Sequence, residues 1–167
     1  MSEYKAWVEW SRGDSPFAGS RYSRGHRWLF DGGIEVPASS SPQVVPVPHS
    51  IEAAVDPEEA FVASLSSCHM LWFLSIADHR GFTVDSYRDE ASGTMARDAS
   101  GKLAITRVTL RPEAMFDAGN PPTPDEVLGM HEQAHEQCFI ARSVKAQVRC
   151  EPVQARSRSP ECPEAAP

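Results

Sequence analysis

The stretch from Asp56 to Gly81, DPEEAFVASLSSCHMLWFLSIADHRG, constrains the fold more than any other part of this chain. It carries the signals of one long helix. Asp56 is an N-cap residue, Pro57 suits the first helical position, and Asp56 with Glu59 has the spacing of a capping box. Glu58 and Glu59 place negative charge where the first amide groups are exposed. Arg80 lies in the last turn, and Gly81 can take the left-handed conformation that closes a helix. Between the caps, Phe61, Leu65, Leu71, Trp72, Phe73 and Ile76 point to nearly all sides, and a helix apolar all round is a buried one. Ser64, Ser66, Ser67, Cys68 and His69 interrupt the apolar run at its centre, so the sequence reads as a core helix and not a membrane span.

Around this helix the chain alternates in a way that predicts α+β architecture. YKAWVEW (4–10) alternates large apolar and polar residues and reads as a strand. His26–Phe30 and Ile34–Val36 read as a hairpin around Asp31-Gly32-Gly33. PASSSPQVVPVP (37–48) holds four prolines and reads as a long loop. After the helix, the runs from Phe82 to Arg97 and from Lys102 to Arg111 form a predicted hairpin around Asp98–Gly101. Thr123-Pro124-Asp125-Glu126 opens a second helix that ends near Cys138. Ser143–Cys150 reads as a final strand. Residues 154–167 have no apolar period and are expected to be a disordered tail behind one domain of residues 1–153. The order predicts helices on one face of a mainly antiparallel sheet. The long helix is more apolar than one small sheet can cover, which predicts a homodimer.

Composition narrows the function. The 167 residues are 41% hydrophobic, enough for one real core. The formal net charge of −7, with basic residues scattered, argues against nucleic acid or an anionic membrane as the partner. Four cysteines are too few for a disulfide scaffold, and the opening MSEYKAWVEW lacks the features of a signal peptide. Reduced thiols in a cytoplasm are therefore expected, and no cofactor is called for.

Two cysteines then draw the chemistry. Cys68 sits at the centre of the long helix with Ala63, Ser64 and Ser67 close before it, so a substrate can approach the sulfur. Cys138 ends the second helix, and both helices are expected on one sheet face. Two thiols that meet form a redox couple, in which one sulfur is oxidised to a sulfenic acid and the other condenses with it. A thiolate is the attacking species, and Cys68 is too far from the helix N-terminus to be helped by the dipole. A cation from elsewhere must serve, and Arg24, Arg21 and Arg142 are the candidates.

Three segments resemble one family. DPEEAFVASLSSCH is similar to the central-helix motif of the OsmC/Ohr family, HEQCFIAR to its second cysteine motif, and YSRGH to the segment that carries its arginine. The likeness runs from about Tyr4 to Glu151. It implies an OsmC-like intertwined α+β homodimer that reduces organic hydroperoxides, as some members also do hydrogen peroxide, with a dithiol or a lipoylated protein as reductant. It further implies Cys68 as peroxidatic cysteine, Cys138 as resolving cysteine, Arg24 as the thiolate-stabilising cation and Glu58 as its carboxylate partner. Phe139 and Ala141 depart from the proline and the Ser or Asn usual in the second motif. Ten helical residues put Glu58 about 15 Å along the axis from Cys68, so Glu58 is expected to serve the thiol of a partner chain.

Two other readings stand beside this one. Cys68-His69 with His131, His135 and Cys138 supplies soft ligands for a metal. A non-catalytic dimer with an apolar pocket formed by Trp72, Phe73 and Phe139 is the other. Cys150 reads as a core or edge cysteine, and Cys162 as an incidental thiol in the tail.

Overall fold

The capping chemistry around the long apolar stretch forms as its residues dictate. In the computed structural model, Glu59 N–H donates to Asp56 Oδ1 at 2.7 Å and Asp56 N–H donates to Glu59 Oε2 at 3.3 Å. These reciprocal bonds open helix α1 (Pro57–His79). At its far end Gly81 takes φ +78° and Phe82 N–H donates to the Ala77 carbonyl at 3.0 Å, closing the last turn. The structure describes residues 1–153 and 156–157. They fall into two units, residues 1–61 and residues from 62 onward, each described by itself.

The first unit is a three-stranded antiparallel sheet in the order β1 (Ala6–Glu9), β2 (His26–Phe30), β3 (Glu35–Ala38). The turn between β2 and β3 uses Gly33 at φ +82°, a backbone conformation that favours glycine. Arg27 on β2 ties both neighbours, reaching Glu9 at 2.8 Å and Glu35 at 3.0 Å. Every residue of β1 is exposed, Trp7 and Val8 included. The proline-rich loop starts two residues later than the sequence implied, because β3 runs through Pro37 and Ala38. It is also anchored: Ser39 N–H donates to the Val55 carbonyl at 3.0 Å, and Ser39 Oγ accepts from Ile51 N–H at 2.9 Å.

The second unit holds most of α1 and two further sheets. One pairs β4 (Val84–Asp89) antiparallel with β7 (Pro112–Phe116). The other pairs β5 (Ser92–Arg97) antiparallel with β6 (Leu103–Leu110), and β8 (Gln147–Cys150) runs parallel to β6. Helix α2 (Pro124–Gln137) opens on the Thr123/Glu126 capping box. A short helix that the sequence did not announce, α3 (Phe139–Ser143), follows Cys138. The tail expected from residue 154 lies outside the described residues apart from β9 (Arg156–Ser157), which pairs parallel with β7.

Three expectations need correcting. Phe82–Arg97 is two strands in different sheets, not one run. The break is made by Asp89, whose carboxylate accepts from Arg111 N–H at 2.6 Å and from Ser66 Oγ at 2.5 Å. β7 was not separable in the sequence because its inward residues are Pro112, Ala114 and Phe116, of which only one is large. Helix α1 is not buried all round. Within the chain it buries one stripe, Leu65, His69, Phe73, Ile76 and Ala77, and leaves Leu71 61% exposed. Its mean hydropathy of 1.6 over an eighteen-residue window makes it long and apolar enough, by length and composition alone, to cross a membrane. The Ser, Cys and His at its centre lower that average less than the sequence reading held.

The α1 stripe forms the centre of the second unit's core. Phe73 is fully buried, meets Phe116 edge-on at 6.3 Å and stacks on His131 at 4.1 Å. Met130 and Ala134 of α2 and Ala114 of β7 pack into the same cluster. Because α2 is held by one capping box, Thr123→Ala should cost about 1 kcal/mol and Thr123→Asn much less. Urea denaturation midpoints of the two variants against wild type measure this.

Candidate active site

Cys138 is fixed from two directions. Its backbone N–H donates to the His135 carbonyl at 3.3 Å at the end of α2. Its sulfur accepts from Ala141 N–H at 3.4 Å and so caps α3. The Cys68 thiol acts on that of Cys138, so α1 and the α2–α3 junction bring the two side chains close enough to interact. Both are free thiols. Burial pushes the Cys138 thiol up to about 11; the Ala141 N–H pulls it down, and the nearness of Cys68 pushes it further up. Cys138 is 1% exposed, whereas Cys68 is only partly buried.

Aromatic packing supports this approach. Trp72 follows Cys68 by one turn of α1, and Phe139 follows Cys138 directly. Their rings meet edge-on at 5.4 Å and 78°, an arrangement that aromatic quadrupoles favour. The two departures from the family motif are thus accommodated: Phe139 clamps the junction onto α1, and Ala141 supplies its contact through the backbone.

Arg24 and Glu58 lie in the first unit, where both line a cavity of about 470 Å³ with Trp10, Phe17 and Tyr22. Arg24 Nη1 donates to the carbonyls of Ser20 at 2.7 Å and Tyr22 at 2.6 Å, and its guanidinium lies 3.9 Å above the Tyr22 ring. Tyr22 in turn stacks on Phe17 at 4.6 Å and meets Trp10 at 5.6 Å. Among the described residues both of these Arg24 bonds go to backbone carbonyls and not to Glu58, which shares the cavity. Arg21 is exposed and outside that lining, and Arg142 is exposed on α3. His26 fixes the Arg24 backbone. Trp28 Nε1–H can only donate, and it donates to His26 Nε2 at 2.9 Å, so His26 Nδ1 carries the proton and donates to the Arg24 carbonyl at 2.8 Å.

The metal ligand set read from sequence assembles only in part: His69 and His131 meet, while Cys68, His135 and Cys138 are not in their cluster. Among the described residues the cluster with metal-ligand spacing is His69, His131 and Cys150. Cys150 had no sequence signal beyond its place at the end of a strand, and His135 is not in the cluster despite sharing a helix face with His131.

A family model for OsmC-like protein matches residues 49–152, the segment that holds both cysteines and Glu58. The chain belongs to the OsmC-like family. An OsmC-like protein of unknown function from Vibrio cholerae shares 52% identity and superposes with a TM-score of 0.90, covering 92% of this chain and 100% of its own. An OsmC-like protein from Mycoplasma pneumoniae has a TM-score of 0.71 at 10% identity, over 93% of this chain and 99% of its own. The organic hydroperoxide resistance protein OhrB of Bacillus subtilis has a TM-score of 0.65 at 17% identity, over 91% and 98%. A comparison with curated proteins finds no match.

The unequal exposure of the two sulfurs has a direct consequence. At about pH 8 iodoacetamide should modify Cys68 well ahead of Cys138, because Cys138 is buried and its thiolate is scarce below about pH 11. Labelling of Cys138 should rise about tenfold per pH unit toward that value, since the thiolate fraction does. Peptide mass spectrometry of timed samples reads both rates.

Proposed function

We propose that this OsmC-like chain is a cysteine-based reductase of organic hydroperoxides, acting in a reducing cytoplasm. What carries the reading is that two free thiols, Cys68 and Cys138, come from different helices and lie close enough for one to act on the other. Cys68 is the reachable sulfur and attacks. Its thiolate takes the outer oxygen of the hydroperoxide, the O–O bond breaks, and the leaving alkoxide is protonated to an alcohol. Cys68 is now a sulfenic acid, oxidised by two electrons. The Cys138 thiol condenses with it, forming the 68–138 disulfide and releasing water. A dithiol reductant restores both thiols by exchange and leaves as its own disulfide. The high pKa of Cys138 keeps its proton in place until that second step. A buried partner close by shortens the life of the sulfenic acid and protects it from irreversible oxidation.

Arg24 and Glu58 belong to this reading as an electrostatic platform. A guanidinium held on two carbonyls and an aromatic face is preorganised and needs little reorganisation when charge develops on the peroxide. The aromatic walls of its cavity suit an organic substituent on the substrate. Glu58 and Cys68 share one continuous helix and are separated by about 15 Å of rise. The platform is therefore proposed to face the thiol pair of a partner chain in a homodimer. The exposed apolar strand β1 and the exposed Leu71 and Phe139 are surfaces that a second copy would cover.

Turnover of cumene hydroperoxide with a dithiol reductant tests the reading. Cys68→Ser should abolish it, and Arg24→Ala should lower kcat/KM by about 10²-fold, the scale of one lost charge stabiliser. Arg21→Ala should leave it near wild type. Equal slow consumption by wild type and Cys68→Ser would refute the enzyme reading.

A further inference from the structure

Three side chains that peroxide reduction does not use meet inside the second unit. His69 comes from the centre of α1, His131 from the inner face of α2 and Cys150 from the end of β8. His69 is fully buried and His131 is 2% exposed. His69 Nε2 lies 3.0 Å from His131 Nδ1 and 3.6 Å from Cys150 Sγ, and all three atoms fall within 4.8 Å of one another.

These separations are those of a metal's ligands. With Zn–N near 2.0–2.1 Å and Zn–S near 2.3 Å, adjacent corners of a tetrahedron stand about 3.3–3.6 Å apart. The two measured edges lie at or close to that range, and the third pair is at most about 1 Å too wide. His131 is held by stacking on Phe73 at 4.1 Å, and the parallel imidazoles must turn from their mutual hydrogen bond for both lone pairs to reach one ion. The His69 Nε2–His131 Nδ1 hydrogen bond holds the proposed ligand atoms together without an ion. Around them His69 Nδ1, Tyr87 Oη and His135 Nδ1 are buried with no hydrogen-bond partner among the described residues.

We propose that His69, His131 and Cys150 form a zinc(II) site with its fourth position open to water. Binding replaces the Cys150 S–H bond by a Zn–S bond, and the proton leaves to solvent. The partly exposed Cys150 gives the ion its way in. The ion pins α1, α2 and β8 to one another. It touches neither Cys68 nor Cys138, so the inference does not depend on the peroxide reading.

Cobalt(II) titration of the reduced, metal-free full-length protein is the test. One equivalent should give the near-ultraviolet thiolate charge-transfer band and the visible bands of a tetrahedral site, and zinc should bleach both. The Cys68→Ser/Cys138→Ser double variant should keep these bands, and Cys150→Ser and His131→Gln should each lose them. Zinc should raise the Tm of wild type and not that of Cys150→Ser. Absence of a thiolate band in wild type would overturn the proposal, whatever the folding of the variants. So would a band that survives Cys150→Ser and disappears in the double variant.

Discussion

Cys138 is a joint that cannot move freely. Its amide closes α2, its sulfur caps α3, and the same sulfur lies within reach of Cys68's influence. Displacing it would cost helix-end hydrogen bonds as well as the nearness of the thiols. The Trp72–Phe139 edge contact lies beside this joint and ties it to α1. The core beneath, centred on Phe73, sets how α1 and α2 lie against each other. The placing of two sulfurs thus depends on ordinary packing, and the chemistry available to them depends on that placing.

Burial then separates two residues of the same chemical type. Desolvation keeps Cys138 protonated and out of reach, while Cys68 stays accessible. The same force acts on the neighbouring cluster, where it keeps His69 and His131 neutral and pushes the Cys150 thiol up to about 12, with the charges of Asp89 and Glu151 adding to the effect. In the first unit the logic is reversed. Arg24 carries a permanent charge, so the fold supplies carbonyls and an aromatic face to hold it in a partly open cavity.

What could be read from the sequence was mostly local. The ends of α1 and α2 were legible because a cap is decided by residues three or four apart. The hairpin β5–β6 was legible because Asp98–Gly101 is a turn by its own chemistry, with Gly101 at φ +81°. The split between β4 and β5 was hidden, since Asp89 makes it through an amide 22 residues away. α3 was hidden because its cap is a sulfur, which is not a usual capping residue. Cys68 and Cys138 stood out by their places on two helices. The choice of Arg24 over Arg21 as a cavity residue needed coordinates. The grouping of Cys150 with His69 joins residues 81 positions apart, beyond any periodicity.

Trapping the oxidised state tests the central pairing most directly. Reduced protein would be treated with one equivalent of cumene hydroperoxide, quenched with an alkylating agent and mapped by peptide mass spectrometry. A bond between the Cys68 and Cys138 peptides, formed within one chain, is the expected product. Cys68 found as sulfinic acid or in a bond to another thiol, with Cys138 still reduced, would contradict the pairing on which the reading stands.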